Sequence, residues 1–334
     1  MIVFLHIASK SPYYDFMKSV YRIHSKVYPE AKHYFMYADP NQKEDIIVEG
    51  DEITVKANEN VKDGCITKTL RSIKYLLSIY PDIPYVVRTN MSTYFNLENL
   101  KKAVCDLPQD SPCLYGYHTG GMAYGYYMVW NNKAMKILSN VYIEYACQRN
   151  INDDTALSWL SQQLNFQCLW RKNNSSDVYD DICFNGFKPK DVKDDWVLFK
   201  QKTDVTEIRL CVERYVMTDF LKKYDVDVYK FLDNEEIKPS SIIRILDYLS
   251  FIEQSHVMEY NIDVAMKYLQ RFDGEQINKL ILHILKFYRN NLEVGYSKLK
   301  TISSFHKPKE IEAEMLYFNF YTEWRNKRFF DLFF

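Results

Sequence analysis

A chain of 334 residues with 47% hydrophobic and 26% charged side chains is long enough to bury a sizeable core and is neither disordered nor fibrous. Lys and Arg number 43 against 44 Asp and Glu, a net charge of -1, so no global field favours nucleic acid and any basic site is local. Seven cysteines, an odd number with no CxxC and no Cys/His cluster at zinc spacing, read as reduced packing residues rather than disulfides or metal ligands.

The apolar residues 2–8 are too short for a signal-peptide core, lack a basic leader and give way to polar Ser9-Lys10-Ser11. They read as a buried first strand, with no membrane span expected. Residues 14–28 and 69–80 are patterned as helices, and residues 33–38, 45–48 and 85–88 as further strands. Short apolar, β-branched runs alternating with amphipathic segments predict an α/β domain whose strands are covered on both faces. Ligands of open α/β sheets bind beyond the carboxyl ends of the strands. That rule selects Ala8-Ser9-Lys10, Asp39 and Thr89-Asn90-Met91-Ser92.

Residues 115–127 hold four of the nine glycines among tyrosines. Glycine permits close approach of backbone to ligand and aromatic faces stack on sugar rings, so His118, Gly120, Gly121 and Tyr124 are candidates for a sugar and acceptor loop. His118, without Cys or His neighbours at ligand spacing, also reads as an ordinary loop histidine. Asp153 and Asp154 precede the apolar Ala156, Leu157 and Leu160. They suit either a general base or the acidic start of a helix, where the dipole stabilises them. Lys200, Lys202, Arg209 and Arg214 read on their own as residues of solvated strand or helix faces.

From about Pro239 the pattern is helical alone. Ile242, Ile245, Leu246, Leu249 and Ile252 follow helical spacing behind Ser240-Ser241, a possible N-cap, and Ile277, Ile281, Ile284, Leu285 and Tyr288 repeat the pattern. Lys307-Pro308 introduces a third helix. The aromatic set Phe318, Tyr321, Trp324, Phe329, Phe330, Phe333 and Phe334 suits packing or a protein contact. The expected division is residues 1–235 for the α/β domain and 236–334 for a helical appendage without chemistry.

Four blocks in order carry a family resemblance. They are Asp45-Ile-Ile-Val-Glu-Gly-Asp51 followed by Thr67-Lys68-Thr69-Leu70; Tyr85-Val-Val-Arg88-Thr89-Asn90 with Phe95-Asn96-Leu97; Gly120-Gly121-Met-Ala-Tyr-Gly125; and Asn152-Asp153-Asp154-Thr155-Ala156. Over residues 1–225 the chain resembles galactosyltransferase-like GT-A glycosyltransferases. The resemblance implies a Rossmann-like mixed sheet flanked by helices and a nucleotide-sugar donor, most simply a UDP-sugar. It further implies an inverting transfer to a glycan or glycoprotein acceptor, and a pocket built from Ala8, Ser9, Asp39, Arg88, Asn90 and Ser92. Lys200 and Lys202 match the segment that closes the nucleotide site, Arg209 and Arg214 follow as further basic residues to face the diphosphate, and Asp154, with Asp153 beside it, matches the catalytic carboxylate. Cellular relatives sit behind a membrane anchor, so a chain opening on its first strand looks cytoplasmic, as in viral or bacterial versions, in the host cytoplasm if viral.

The family's Asp-x-Asp metal ligands are replaced here by Asn90-Met91-Ser92. An amide and a hydroxyl hydrogen-bond to ribose or phosphate but bring no negative charge for Mg²⁺ or Mn²⁺. The expected transfer needs no metal, or uses one weakly, with basic residues stabilising the leaving diphosphate. The alternatives are an inactive GT-A module kept for glycan binding or assembly and, in another class, a protein scaffold that binds no nucleotide.

Overall fold

The computed structural model describes residues 1–10, 12–119, 121–171, 178–183, 193–203, 209, 212–213, 215–217, 239–252, 255–288 and 290–305. The chain divides into two compact units, Met1–Asp181 with Val192–Gln201, and Ile182–Asp191 with Lys202–Phe334. The boundary expected at residue 235 lies outside the described residues.

The first unit is an α/β domain around a mixed eight-stranded sheet in the order β3-β4-β2-β1-β5-β8-β7-β9. β1 (Ile2–Ile7), β2 (Ala31–Ala38) and β5 (Tyr85–Asn90) are neighbouring parallel strands, and β8 (Met122–Asn131) runs antiparallel to β5. β3 (Ile46–Glu49) and β4 (Glu52–Val55) form a hairpin that turns at Gly50, whose φ of 63° suits glycine. α1 (Pro12–Val27), α2 (Asp63–Ile79), α3 (Leu97–Val104), α4 (Asn132–Leu138), α5 (Ile143–Cys147) and α6 (Asp153–Gln163) belong to the unit with β6 (Tyr94–Phe95), β7 (Cys113–Thr119) and β9 (Gln167–Arg171), and Leu198 and Phe199 pair antiparallel with Phe95 and Tyr94 of β6.

Strand alternation sends β5 side chains to two cores. Val86 joins Val3, Leu5, Ile66, Leu70 and Trp130 in one, and Val87 joins Phe4, Phe95, Leu100 and Tyr127 in the other. α2 begins six residues before the expected start at residue 69, because the Asn60 side chain accepts from the N–H groups of Lys62 and Gly64 at 2.9 and 3.1 Å. The glycine-rich stretch expected as a loop is largely the β7–β8 hairpin. Gly116 lies inside a strand because a Cβ there would meet the Tyr127 carbonyl at 2.4 Å.

In the second unit, α7 (Pro239–Ile252), α8 (Ser255–Lys267), α9 (Gly274–Phe287) and α10 (Leu292–Phe305) pack successively, with α7 also against α9. Ile242, Leu246, Leu249, Ile277, Ile281 and Ile284 are buried there. Pro239 occupies the first turn, which its fixed φ suits, so Ser240 and Ser241 lie inside the helix rather than capping it. Asp273 and Gln276 form a reciprocal capping box for α9. The third helix and the aromatic set expected after residue 306 lie outside the described residues. No helix among the described residues is long and apolar enough to cross a membrane, and the five cysteines assigned a state (Cys65, Cys105, Cys113, Cys147 and Cys168) are free thiols.

Candidate functional site

Ile7 sits opposite Met36 on one side and Asn90 on the other, so Ala8 and Ser9 leave the sheet between Ala38-Asp39 and the Asn90-Met91-Ser92 turn. This is the carboxyl edge of three adjacent parallel strands, the place where such sheets bind ligands. Ser9, Asp39 and Asn90 are half-buried there, while Ala8 and Ser92 are buried. Asp39 forms an Asx turn, accepting from Asn41 N–H at 2.9 Å.

The 90–93 turn is held from below. Thr93 N–H donates to the Asn90 carbonyl at 3.3 Å, and the Tyr21 hydroxyl lies 2.8 Å from the Met91 carbonyl and 2.6 Å from that of Thr93. The Tyr21 ring packs 4.1 Å from that of His6. His6 Nε2 lies 2.7 Å from His33 Nδ1, and His33 Nε2 lies 3.0 Å from His24 Nδ1. Burial lowers the pKa of His6 to about 3 and that of His24 to about 4, with His33 pushed well below its ordinary range. The three rings are neutral at neutral pH, and each contact pairs one N–H with one lone pair.

Two buried cations flank this edge. Lys68 on α2, its side chain 0% exposed, donates to the Ala8 carbonyl at 3.0 Å and to Glu59 Oε1 at 2.5 Å. Arg88, on the β5 face shared with Val86, donates from Nη1 to the Gly125 carbonyl at 2.6 Å and from Nε to Thr69 Oγ1 at 3.3 Å. Its Nη2 forms an ion pair with Asp153. Burial lowers the Arg88 pKa to about 10, against the opposing pull of Cys65 and Asp154, so the guanidinium is charged at neutral pH.

β7 and β8 are joined irregularly at this point. Gly116 pairs with Met128 but His118 pairs with Ala123, so residues 124–127 bulge against Tyr117. Bulges re-aim side chains, often beside functional sites. A Cβ on Gly125 would lie 2.6 Å from Arg88 Nη1 and 3.1 Å from Asp154 Cβ. Tyr124 stacks at 5.4 Å on Tyr117 and at 5.2 Å on Tyr126, and Lys200 Nζ sits 3.8 Å above the Tyr126 ring. Gly121, with φ 81°, belongs to the hairpin turn. Its N–H approaches His118 Nδ1 at 3.4 Å and its carbonyl accepts from Gln162. Gly120 lies outside the described residues.

α6 is fastened to the hairpin by Ser158 Oγ, which accepts from Ala123 N–H at 2.9 Å. Its first turn carries both candidate carboxylates, and the structure gives them different partners. Asp153 is taken by Arg88, whereas Asp154 Oδ1 accepts from the Thr155 N–H at 2.7 Å. Lys202 is half-buried and belongs to the second unit, as does Arg209, which pairs with Glu213 at 3.7 Å. Arg214 lies outside the described residues.

Asn90 and Ser92 supply an amide and a buried hydroxyl with no carboxylate, a poor donor set for Mg²⁺ or Mn²⁺. No group of three or more His, Cys, Asp or Glu is placed to hold a metal ion among the described residues. Asn90 and Ser92, at the positions of the family's Asp-x-Asp, do not by themselves fit a divalent cation.

No family model matches the sequence. No curated protein matches it either. Among solved structures, the chain is similar to a glycosyltransferase involved in the glycosylation of the major capsid of PBCV-1, with 12% identity and a TM-score of 0.39, covering 65% of this chain and 98% of that one. A likeness at that level is too distant to transfer an activity.

Lys68, Glu59 and Tyr21 also border this edge and are not among the residues that sequence reasoning selected. A signal for Lys68 was present. It lies one helical turn from both Gly64 and Ser72, so a lysine occupies the small-residue face of a buried helix.

Proposed function

We propose that the first unit is a metal-independent glycosyltransferase that binds a nucleotide sugar at the edge formed by Ala8, Ser9, Asp39, Asn90 and Ser92. The observation that carries this reading is the bridge from Arg88 to Asp153. It fastens the acidic first turn of α6 to the strand whose end forms that edge, with Asp153 in direct contact with the guanidinium and Asp154 within its field. Asp153 balances the guanidinium. Asp154 is left as the general base.

In the transfer, Asp154 takes the proton of the acceptor hydroxyl as that oxygen attacks the anomeric carbon. The bond from this carbon to the phosphate oxygen breaks, and its electron pair leaves with the nucleoside diphosphate, giving inversion. Fixed cations stabilise the departing charge, with Lys68 beside Ala8 and Lys200 above Tyr126 as the buried ammonium groups of this unit suited to the task. Tyr117 and Tyr124 offer aromatic faces for a glycan acceptor, and a UDP-sugar suits the family resemblance best.

The test is donor hydrolysis across UDP-, GDP- and CMP-sugars, with and without EDTA. The reading expects turnover of one donor class that EDTA leaves intact. Nucleotide binding without turnover of any donor points instead to an inactive glycan-binding module, and a melting temperature unchanged by every nucleotide rejects both.

A further inference from the structure

We propose that Glu59 is the exchangeable counter-ion of a phosphate subsite. In this account an incoming diphosphate displaces the Glu59 carboxylate from Lys68. The inference rests on the nucleotide-sugar reading and adds the group that guards its anion.

The two partners of this ion pair are unequally buried. The Lys68 side chain is 0% exposed, while that of Glu59 is 40% exposed. The ammonium therefore donates one bond to the strand-end carbonyl of Ala8 and another to a carboxylate that reaches in from solvent. A buried charge requires a counter-charge, but the requirement is for an anion in that place and not for Glu59 itself.

Glu59 also binds in the manner of a phosphate. Oε1 accepts from Lys68 Nζ at 2.5 Å and Oε2 accepts from the Ala38 N–H at 3.0 Å. Its two oxygens thus span an ammonium and a backbone N–H at the ends of β1 and β2, which two phosphate oxygens match with more charge. The backbone on both sides of Glu59 is tied to the start of α2. A Cβ on Gly64 would lie 1.8 Å from the Asn58 carbonyl, and Asn60 is tied to the N–H groups of Lys62 and Gly64. Exchange therefore takes place by rotation of the side chain, without movement of the loop.

A permanent structural pair and an exchangeable one predict opposite signs for Glu59→Gln. The amide keeps an oxygen for Lys68 but removes the competing charge. Calorimetric titration of the full chain with UDP, inorganic pyrophosphate and uridine reads the difference. The expected result is tightening of UDP and pyrophosphate by about tenfold in Glu59→Gln, unchanged uridine affinity, and loss of pyrophosphate binding in Lys68→Met with retention in Lys68→Arg. Weaker or unchanged binding of UDP and pyrophosphate by Glu59→Gln overturns the proposal while leaving the nucleotide site standing. If pyrophosphate binds with this pattern but no donor is turned over, the subsite stands and the transfer reading fails. Absence of UDP and pyrophosphate binding in both wild type and Glu59→Gln overturns both.

Discussion

The guanidinium of Arg88 on β5 forms a buried ion pair with Asp153 at the start of α6, and its remaining nitrogens are engaged by Thr69 and the Gly125 carbonyl. One side chain thus couples the end of a parallel strand, a helix and a bulged antiparallel strand. Arg88→Met leaves Asp153 unpaired in a largely buried site, and the expected cost is about 3–5 kcal/mol. The double variant Arg88→Met/Asp153→Leu is expected to recover much of that stability without recovering activity. Urea unfolding of both variants, beside donor hydrolysis, checks the pairing and its role together.

Gly125 is the point of closest approach in this constellation. A methyl group there meets Arg88 Nη1 at 2.6 Å and Asp154 Cβ at 3.1 Å, so Gly125→Ala displaces the guanidinium or the carboxylate. Turnover is expected to fall by an order of magnitude or more, as about an ångström of misplacement costs on the order of a hundredfold, with nucleotide affinity held near wild type. Equal turnover in Gly125→Ala means that the positions of these two side chains do not matter to the chemistry.

Acid is expected to destabilise the first unit through the histidine chain. The pKa of His24 falls from 6.5 to about 4 and that of His6 from 6.5 to about 3 on burial, so the unfolded chain binds more protons below pH 6.5. Stability therefore declines as pH drops through that window, by on the order of 3 kcal/mol for His24 alone. His24→Gln, which keeps a polar partner for His33, flattens the decline when urea midpoints are compared from pH 7 to pH 4.5. An unchanged slope excludes His24 as its source.

Much of the fold was legible because it depends on local pattern. β1, β3 and β5 follow from short β-branched runs, β2 from a short aromatic-rich one, and α9 from apolar spacing. The β7–β8 hairpin was not, since its glycines signal a loop until the close approaches at Gly116 and Gly125 are known. In the site, Ala8, Asp39 and Asn90 were legible as strand ends. Lys68 and Glu59 were not, because a lone lysine and a loop glutamate carry no pattern until the sheet register brings Ala8 and Ala38 beside them. The separation of Asp153 from Asp154 likewise depends on Arg88, distant in sequence and adjacent only in the fold.

Restoring carboxylates at the end of β5 is expected to give no gain. Asn90→Asp with Ser92→Asp places negative charge facing a diphosphate without a completed cation shell, and like charges repel. Lys200→Ala is expected to lower turnover by on the order of a hundredfold, the loss of one electrostatic stabiliser. Steady-state rates in EDTA and in Mn²⁺ check both. Strict Mn²⁺ dependence of the wild type, with Lys200 dispensable, contradicts the metal-independent reading.

The proposed transfer depends on Asp154 acting as the base separately from Asp153. Single-turnover transfer in EDTA by wild type and Asp154→Asn, with UDP affinity measured on the same preparations, tests it most directly. Asp154→Asn is expected to lose on the order of 10²–10⁴ in rate while UDP affinity and melting temperature stay close to wild type. Wild-type rates in Asp154→Asn would contradict it, as would failure of the wild-type chain to bind any nucleoside diphosphate.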